Sequence, residues 1–217
     1  MQILLCAATQ FEIDPLMPFL EEHGFANQVE VLITGVGLLA TTYQLTKRVT
    51  GKKPDLLLQA GLAGCIDTNI PLGTTAVVFR ENVGDFGVLQ NADFTSAFDM
   101  GLVKENENPW QEKKLVNPHM ELLKNTDLPL IDSVTVNEIT TNADRISYYK
   151  NGLEAGIESM EGAALHYIGL MENIPFLQIR SLSNYIGERD KSKWVLDHAV
   201  NILNLELQRQ LLKLLSS

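Results

Sequence analysis

The run Phe176-Leu177-Gln178-Ile179 constrains the fold more than any other part of this chain. It is too short for a buried helix, it follows Pro175, and it gives way at once to Ser181-Leu182-Ser183-Asn184. It therefore reads as a buried parallel strand that delivers Asn184 to its carboxyl end. In open α/β sheets ligands bind at that edge. Just upstream, residues 156–165 read Gly-Ile-Glu-Ser-Met-Glu-Gly-Ala-Ala-Leu. The small run Gly162-Ala163-Ala164 lets a helix extending to Glu172 pack closely on its neighbours. It also leaves Glu161 at the helix end, where free backbone N–H groups point outward. A carboxylate and an amide are thereby expected at the rim of one pocket.

The alternation of strand and helix recurs along the chain. Residues 2–8 form a first strand, and a helix is expected from Phe11 onward, with Phe11, Leu16, Met17 and Leu20 near helical spacing. Residues 29–34 are a second strand, which Thr34-Gly35-Val36-Gly37 turns into a helix ending near residue 49. Residues 55–60 are a third strand, followed by Gly61-Leu62-Ala63-Gly64, which reads as a glycine turn. Further strands are expected at 73–82 and 130–136, and a helix over 142–151. Residues 85–110 show little periodicity and are expected to form a long loop or lid. Residues 192–215 carry Trp194, Val195, Ala199, Ile202, Leu203, Leu207 and Leu211 on one side of a terminal amphipathic helix that covers the sheet. The class is α/β, three layers (α/β/α) around a mostly parallel, mixed central sheet. A chain of 217 residues has room for one sizeable core and not for two, so a single domain over 1–217 is expected.

A formal net charge of -10 argues against nucleic-acid backbones and anionic membranes as partners, which leaves a small molecule. No apolar run reaches the roughly 18 residues of a membrane span, and the first one lacks the basic flank of a leader, so a cytoplasmic location is expected. Cys6 and Cys65 show no Cys-x-x-Cys spacing and read as buried free thiols. The four histidines His23, His119, His166 and His198 are scattered. No metal, no cofactor and no histidine-based catalysis is expected.

Met160-Glu161 followed by small residues, and about twenty residues later a strand ending Arg180-Ser181-Leu182-Ser183-Asn184, resemble the purine nucleoside phosphorylase and nucleosidase superfamily. Within it, Glu-Ser-Met-Glu-Gly-Ala-Ala at 158–164 and Arg-Ser-Leu-Ser-Asn-x-x-Gly-x-Arg-Asp at 180–190 are most similar to the futalosine hydrolases, nucleosidases of the menaquinone pathway. Gly84-Asp85-Phe86-Gly87 with Phe98-Asp99-Met100-Gly101-Leu102 points the same way. The resemblance covers the chain from Met1 to the terminal helix. It implies a nucleoside phosphorylase-like fold, a homodimer or higher homo-oligomer, and hydrolysis of the N-glycosidic bond of futalosine to release hypoxanthine. Its rivals are a nucleosidase or phosphorylase acting on inosine or methylthioadenosine, and a non-catalytic purine-binding protein of the same fold.

The resemblance also implies roles. Glu12, which on spacing alone is a helix-dipole partner, becomes the base that activates water. Glu161 holds the ribose 2′- and 3′-hydroxyls, with its charge near the oxocarbenium-like centre. Met160 packs under the sugar, or else fills core. The backbone at Ala63 and Gly64 lies against sugar and base, and Ile139 and Thr140 lie beside the purine, Ile139 being otherwise a core residue. Leu62 and Gln59 stand where phosphorolytic relatives tend to carry anion grips, which implies water as the nucleophile. Asn184 stands where adenine-specific nucleosidases have aspartate. Its NH2 can donate to a 6-oxo group while its oxygen accepts from a protonated N7; on sequence alone it is also a turn asparagine. Asp190 or water is left to protonate the base. Arg189 and Arg145 are candidates for the carboxylate on futalosine's tail, although Arg189 next to Asp190 could equally be structural.

Overall fold

The computed structural model describes residues 1–91 and 93–215. The first apolar run is strand β1 (Ile3–Ala7), buried along its whole length between parallel neighbours β2 (Val29–Ile33) and β3 (Leu56–Cys65). An unbroken Ile-Leu-Leu-Cys-Ala run suits a strand covered on both faces. The remaining strands in chain order are β4 (Thr75–Val83), β5 (Gly87–Gln90), β6 (Asp93–Ser96), β7 (Leu115–Val116), β8 (Leu130–Thr135), β9 (Ile157–Ser159) and β10 (Phe176–Tyr185). The helices are α1 (Met17–Glu22), α2 (Leu38–Gly51), α3 (Met120–Lys124), α4 (Ala143–Ser147), α5 (Gly162–Glu172) and α6 (Leu196–Leu215).

The central sheet is mixed and mostly parallel, as expected. β10 runs parallel to β3 and antiparallel to β4; β4 and β8, then β8 and β9, are parallel; β9 returns antiparallel to β3. Those five strands close a ring, which β1 and β2 extend beyond β3. Helices α2 and α5 pack together over one face, where Leu45 and Val49 meet Leu165 and Ile168. On the other face Leu203, Leu207 and Leu211 of α6 pack with Ile3, Leu5 and Ile179. The small residues of α5 do what the sequence implies. A Cβ on Gly169 would lie 2.3 Å from Phe176 Cδ1, so the helix sits too close to β10 for any side chain there. No helix among the described residues is long and apolar enough to cross a membrane.

Several expected boundaries move. The chain after β1 makes two short 3-10 turns, Gln10–Glu12 and Asp14–Leu16, before α1 starts at Met17; Pro15 and Pro18 lack the donors that a longer helix through this stretch needs. Phe11 is consequently 51% exposed and off the apolar face. Gly61-Leu62-Ala63-Gly64 is not a turn. β3 runs straight through it because β10 pairs alongside, Arg180 opposite Gly61 and Asn184 opposite Gly64. The 85–110 loop contains the β5–β6 hairpin. The helix at 142 is capped by the Asn142 side chain, which accepts from Asp144 N and Arg145 N, and it continues through a π turn to Gly152. Lys191–Lys193 is a separate turn, so Trp194 and Val195 precede α6.

Candidate functional site

A cavity of about 410 Å³ opens at the carboxyl ends of β1, β3 and β10, the edge that the strand pattern selects. Glu12, Ala63, Gly64, Ile139, Met160, Glu161, Asn184 and Arg189 all line it. Glu12 is buried and locked from three directions. Its Oε2 accepts from Thr9 N (3.0 Å) and Thr9 Oγ1 (3.1 Å), and its Oε1 accepts from Leu62 N (3.0 Å). Asn204 Nδ2 on α6 donates to its backbone carbonyl at 2.9 Å, so the terminal helix supports the site as well as covering the sheet. A carboxylate has about four lone-pair positions, which leaves Glu12 one more to offer a ligand.

Glu161 is the N-cap residue of α5. Its Oε1 accepts from Gly37 N at 3.1 Å, and its Oε2 lies 3.4 Å from Arg180 Nη1. Arg180 is only 1% exposed. It also donates to Gln59 Oε1 (3.1 Å) and Leu62 O (3.3 Å). Sequence reading left Arg180 without a role, although an arginine inside a buried strand must be paired and so marks a second charge nearby. The glycine at 61 makes this arrangement possible. A Cβ there would lie 2.4 Å from Arg180 Nη1 and 2.9 Å from Glu12 Oε1, so the Arg180 guanidinium and the Glu12 carboxylate both pack against a backbone stripped of side chain.

Behind Arg180 the interior is polar. Thr135 Oγ1 donates to Glu81 Oε1 at 3.0 Å and accepts from Ala163 N at 2.9 Å. Burial pushes the Glu81 carboxyl up to about 7, and it holds the His166 imidazole down at about 3. None of the four histidines lines the cavity. Both cysteines are buried and free, and burial pushes the Cys6 thiol up to about 12 and the Cys65 thiol to about 11, which makes them inert. No cluster of His, Cys, Asp and Glu among the described residues could hold a metal ion.

At the other end of the cavity, Asn184 Oδ1 accepts from Ser183 Oγ at 2.9 Å and Nδ2 donates to Tyr185 O at 3.2 Å. One lone pair and one N–H of the amide remain for a ligand. Glu158, also on the cavity wall and not anticipated from the sequence, is 6% exposed. Its Oε1 accepts from Thr140 N at 3.3 Å, while its Oε2 has no partner among the described residues. Burial raises this carboxyl above the ordinary range, against the pull of its Thr140 hydrogen bonds. Thr140 itself is buried behind the wall and does not line the cavity. Ile139 takes the exposed position.

No protein-family model matches the chain. Over 198 residues it is 27% identical to the 5′-methylthioadenosine/S-adenosylhomocysteine nucleosidase of Maridesulfovibrio salexigens, covering 80% of this chain and 76% of that protein. Over 219 residues it is 24% identical to the futalosine hydrolase of Thermus thermophilus, covering 96% and 94%. Among solved structures, a mutant of the Helicobacter pylori methylthioadenosine nucleosidase, with 5′-methylthioadenosine in its active site, matches with a TM-score of 0.78 at 16% identity and 98% coverage of both chains. This chain is a homologue of the nucleosidases.

In this nucleosidase homologue the remaining candidates separate. Arg189 is exposed at the cavity mouth, its guanidinium 5.6 Å from the centre of the Trp194 ring. Arg145 lies outside the cavity, stacked 3.8 Å from the Phe94 ring centre and donating to Gly84 O at 2.8 Å, so it does not join the site. Asp190 is also outside; its carboxylate accepts from Ser192 N (3.0 Å) and Ser192 Oγ (2.7 Å), which hold it below the usual range. A carboxyl that faces away and is hard to protonate is no acid for a departing base. Gln59 is buried behind Arg180 and Leu62 lines the wall, so neither offers an anion grip.

Proposed function

We propose that the protein is a nucleosidase of the futalosine hydrolase type. It cleaves the N-glycosidic bond of a 6-oxopurine nucleoside, futalosine above all, with water, releasing hypoxanthine and dehypoxanthine futalosine in menaquinone biosynthesis. The observation that carries this reading is the placing of Glu12, Glu161 and Asn184 around one cavity, each anchored by neighbours and each with hydrogen-bonding capacity to spare. As the C1′–N9 bond breaks, its electron pair leaves with the base and positive charge builds on the ribose. Glu161 binds the ribose hydroxyls and sets negative charge beside that centre, with Met160 packed under the sugar. Glu12 takes the proton of the water whose oxygen bonds C1′. Water remains as the proton source for N7. Phosphate is disfavoured because the buried cation of the site, Arg180, is already engaged by Glu161, Gln59 and Leu62.

Asn184 selects the base. Its NH2 donates to O6 of hypoxanthine, whereas with adenine it faces another NH2, and each such mismatch costs about 1–3 kcal/mol. Asn184→Asp is expected to lower activity on hypoxanthine nucleosides and raise it on adenine nucleosides relative to them. The quantity to measure is the ratio of the two kcat/KM values. An unchanged ratio removes Asn184 as the reader of the base. The 27% identity to a methylthioadenosine/S-adenosylhomocysteine nucleosidase favours the second reading, an adenine-nucleoside nucleosidase, and wild-type kcat/KM higher for methylthioadenosine than for futalosine decides for it. A purely binding protein has no need of a water-activating base such as Glu12.

Arg189 is exposed at the mouth, and its proposed role is to pair with the carboxylate of futalosine's carboxyphenyl ketone tail. Arg189→Ala should raise KM for futalosine and leave inosine unaffected; equal effects on both make the arginine structural. The cytoplasmic homo-oligomer belongs to the same proposal. An apolar groove of about 710 Å³ between α2 and α5 leaves Leu39 87% exposed beside Tyr43, Trp110 and Tyr167, a surface suited to a second copy of the chain. Light scattering of the protein in solution, with a mass of one chain, contradicts that part.

A further inference from the structure

Glu158 and Glu161 are three residues apart but serve different neighbours. Glu161 reaches Gly37 and Arg180, while the Glu158 carboxyl is anchored on Thr140 N, next to the cavity residue Ile139. The backbone of Glu158 is paired with Gly64, which is paired in turn with Asn184. This carboxyl therefore belongs to the Asn184 and Ile139 side of the cavity. It is also incompletely satisfied, since its Oε2 is buried with no partner among the described residues. A buried acceptor left unpaired is costly unless a ligand supplies a donor.

Resting on the nucleosidase reading above, we propose that Glu158 reads the N1 edge of the base. With Asn184 at O6 and N7, the next atom along the edge is N1. In a 6-oxopurine it carries hydrogen and donates to the carboxylate; in a 6-aminopurine it is a bare acceptor, and two acceptors meet. Glu158 and Asn184 thus form a paired selector for the 6-oxopurine face, the one accepting and the other donating. Glutamine cannot replace Glu158 in this. Its amide has one acceptor oxygen, so its NH2 must face either Thr140 N–H or purine N1–H. Toward adenine, however, the same amide is well matched, with its oxygen on Thr140 and its NH2 on N1.

The test uses the full chain, wild type and Glu158→Gln, with the free bases hypoxanthine, 1-methylhypoxanthine and adenine as ligands in calorimetry. Equal thermal unfolding of the two proteins establishes that the variant is folded, and Glu158→Ala provides a second variant without an amide. In Glu158→Gln, hypoxanthine should weaken by about tenfold or more, 1-methylhypoxanthine, which cannot donate from N1, should hold its affinity, and adenine should tighten. Glu158→Ala should lose hypoxanthine without gaining adenine. A general structural role moves hypoxanthine and 1-methylhypoxanthine together, and that result overturns the assignment alone. Wild-type protein that binds none of the three bases overturns the nucleosidase reading and this assignment with it.

Discussion

Exchange of Glu12 for glutamine is expected to lower kcat by about 10² or more, with KM little changed. The carboxylate is held by Thr9 N, Thr9 Oγ1 and Leu62 N, all of them donors. In the proposed reaction its remaining lone pair accepts a proton from water, and an amide keeps the shape while abolishing that capacity. The substitution also turns an NH2 toward at least one of the three donors, which costs about 1–3 kcal/mol. A lowered Tm with intact far-UV circular dichroism should therefore accompany the loss of turnover. Steady-state kinetics with saturating nucleoside reads the result, and near-normal kcat contradicts the role given to Glu12.

Arg180→Met should destabilise the fold by about 3–5 kcal/mol, because it leaves the Glu161 carboxylate buried beside nothing positive. Arg180 and Glu161 are both almost wholly buried, and the arginine additionally ties β3 to β10 through Gln59 and Leu62. The pair is therefore at once a structural link and the support of the group proposed to bind the sugar. Combining Arg180→Met with Glu161→Gln should recover part of the loss, since the second change removes the stranded charge. Urea unfolding at neutral pH of the wild type, both single variants and the double variant gives the coupling. Additive effects would show that Glu161 does not depend on Arg180.

The parts of the fold visible in the sequence are those whose chemistry is local. β1 follows from continuous apolar burial and α5 from a run of small residues, and Asn184 sits at the strand end where the run Phe176–Ile179 points it. β9 is invisible because three residues carry no period, and without it the closing of the ring is hidden. Gly61 and Gly64 read as a turn because glycine signals both a bend and a close approach of neighbours, and only the pairing of β10 with β3 decides between them. Glu12 and Glu161 take their roles from a family resemblance, since spacing alone makes each an ordinary helix-end carboxylate. Arg180 and Glu158 escape for a different reason. Their importance lies in what they touch across the sheet, Glu161 and Gln59 for the one and Thr140 for the other, and no local pattern encodes those contacts. Thr140 falls one residue away from the cavity, where the chain turns Ile139 out and Thr140 in.

The most direct test of the account is product analysis with futalosine as substrate, in phosphate-free buffer and in phosphate buffer, by liquid chromatography and mass spectrometry. Hypoxanthine should appear at the same rate in both, with the sugar product carrying a free hydroxyl at C1′ in both. Hypoxanthine release that requires phosphate, with a 1-phosphate ester as the sugar product, would contradict it.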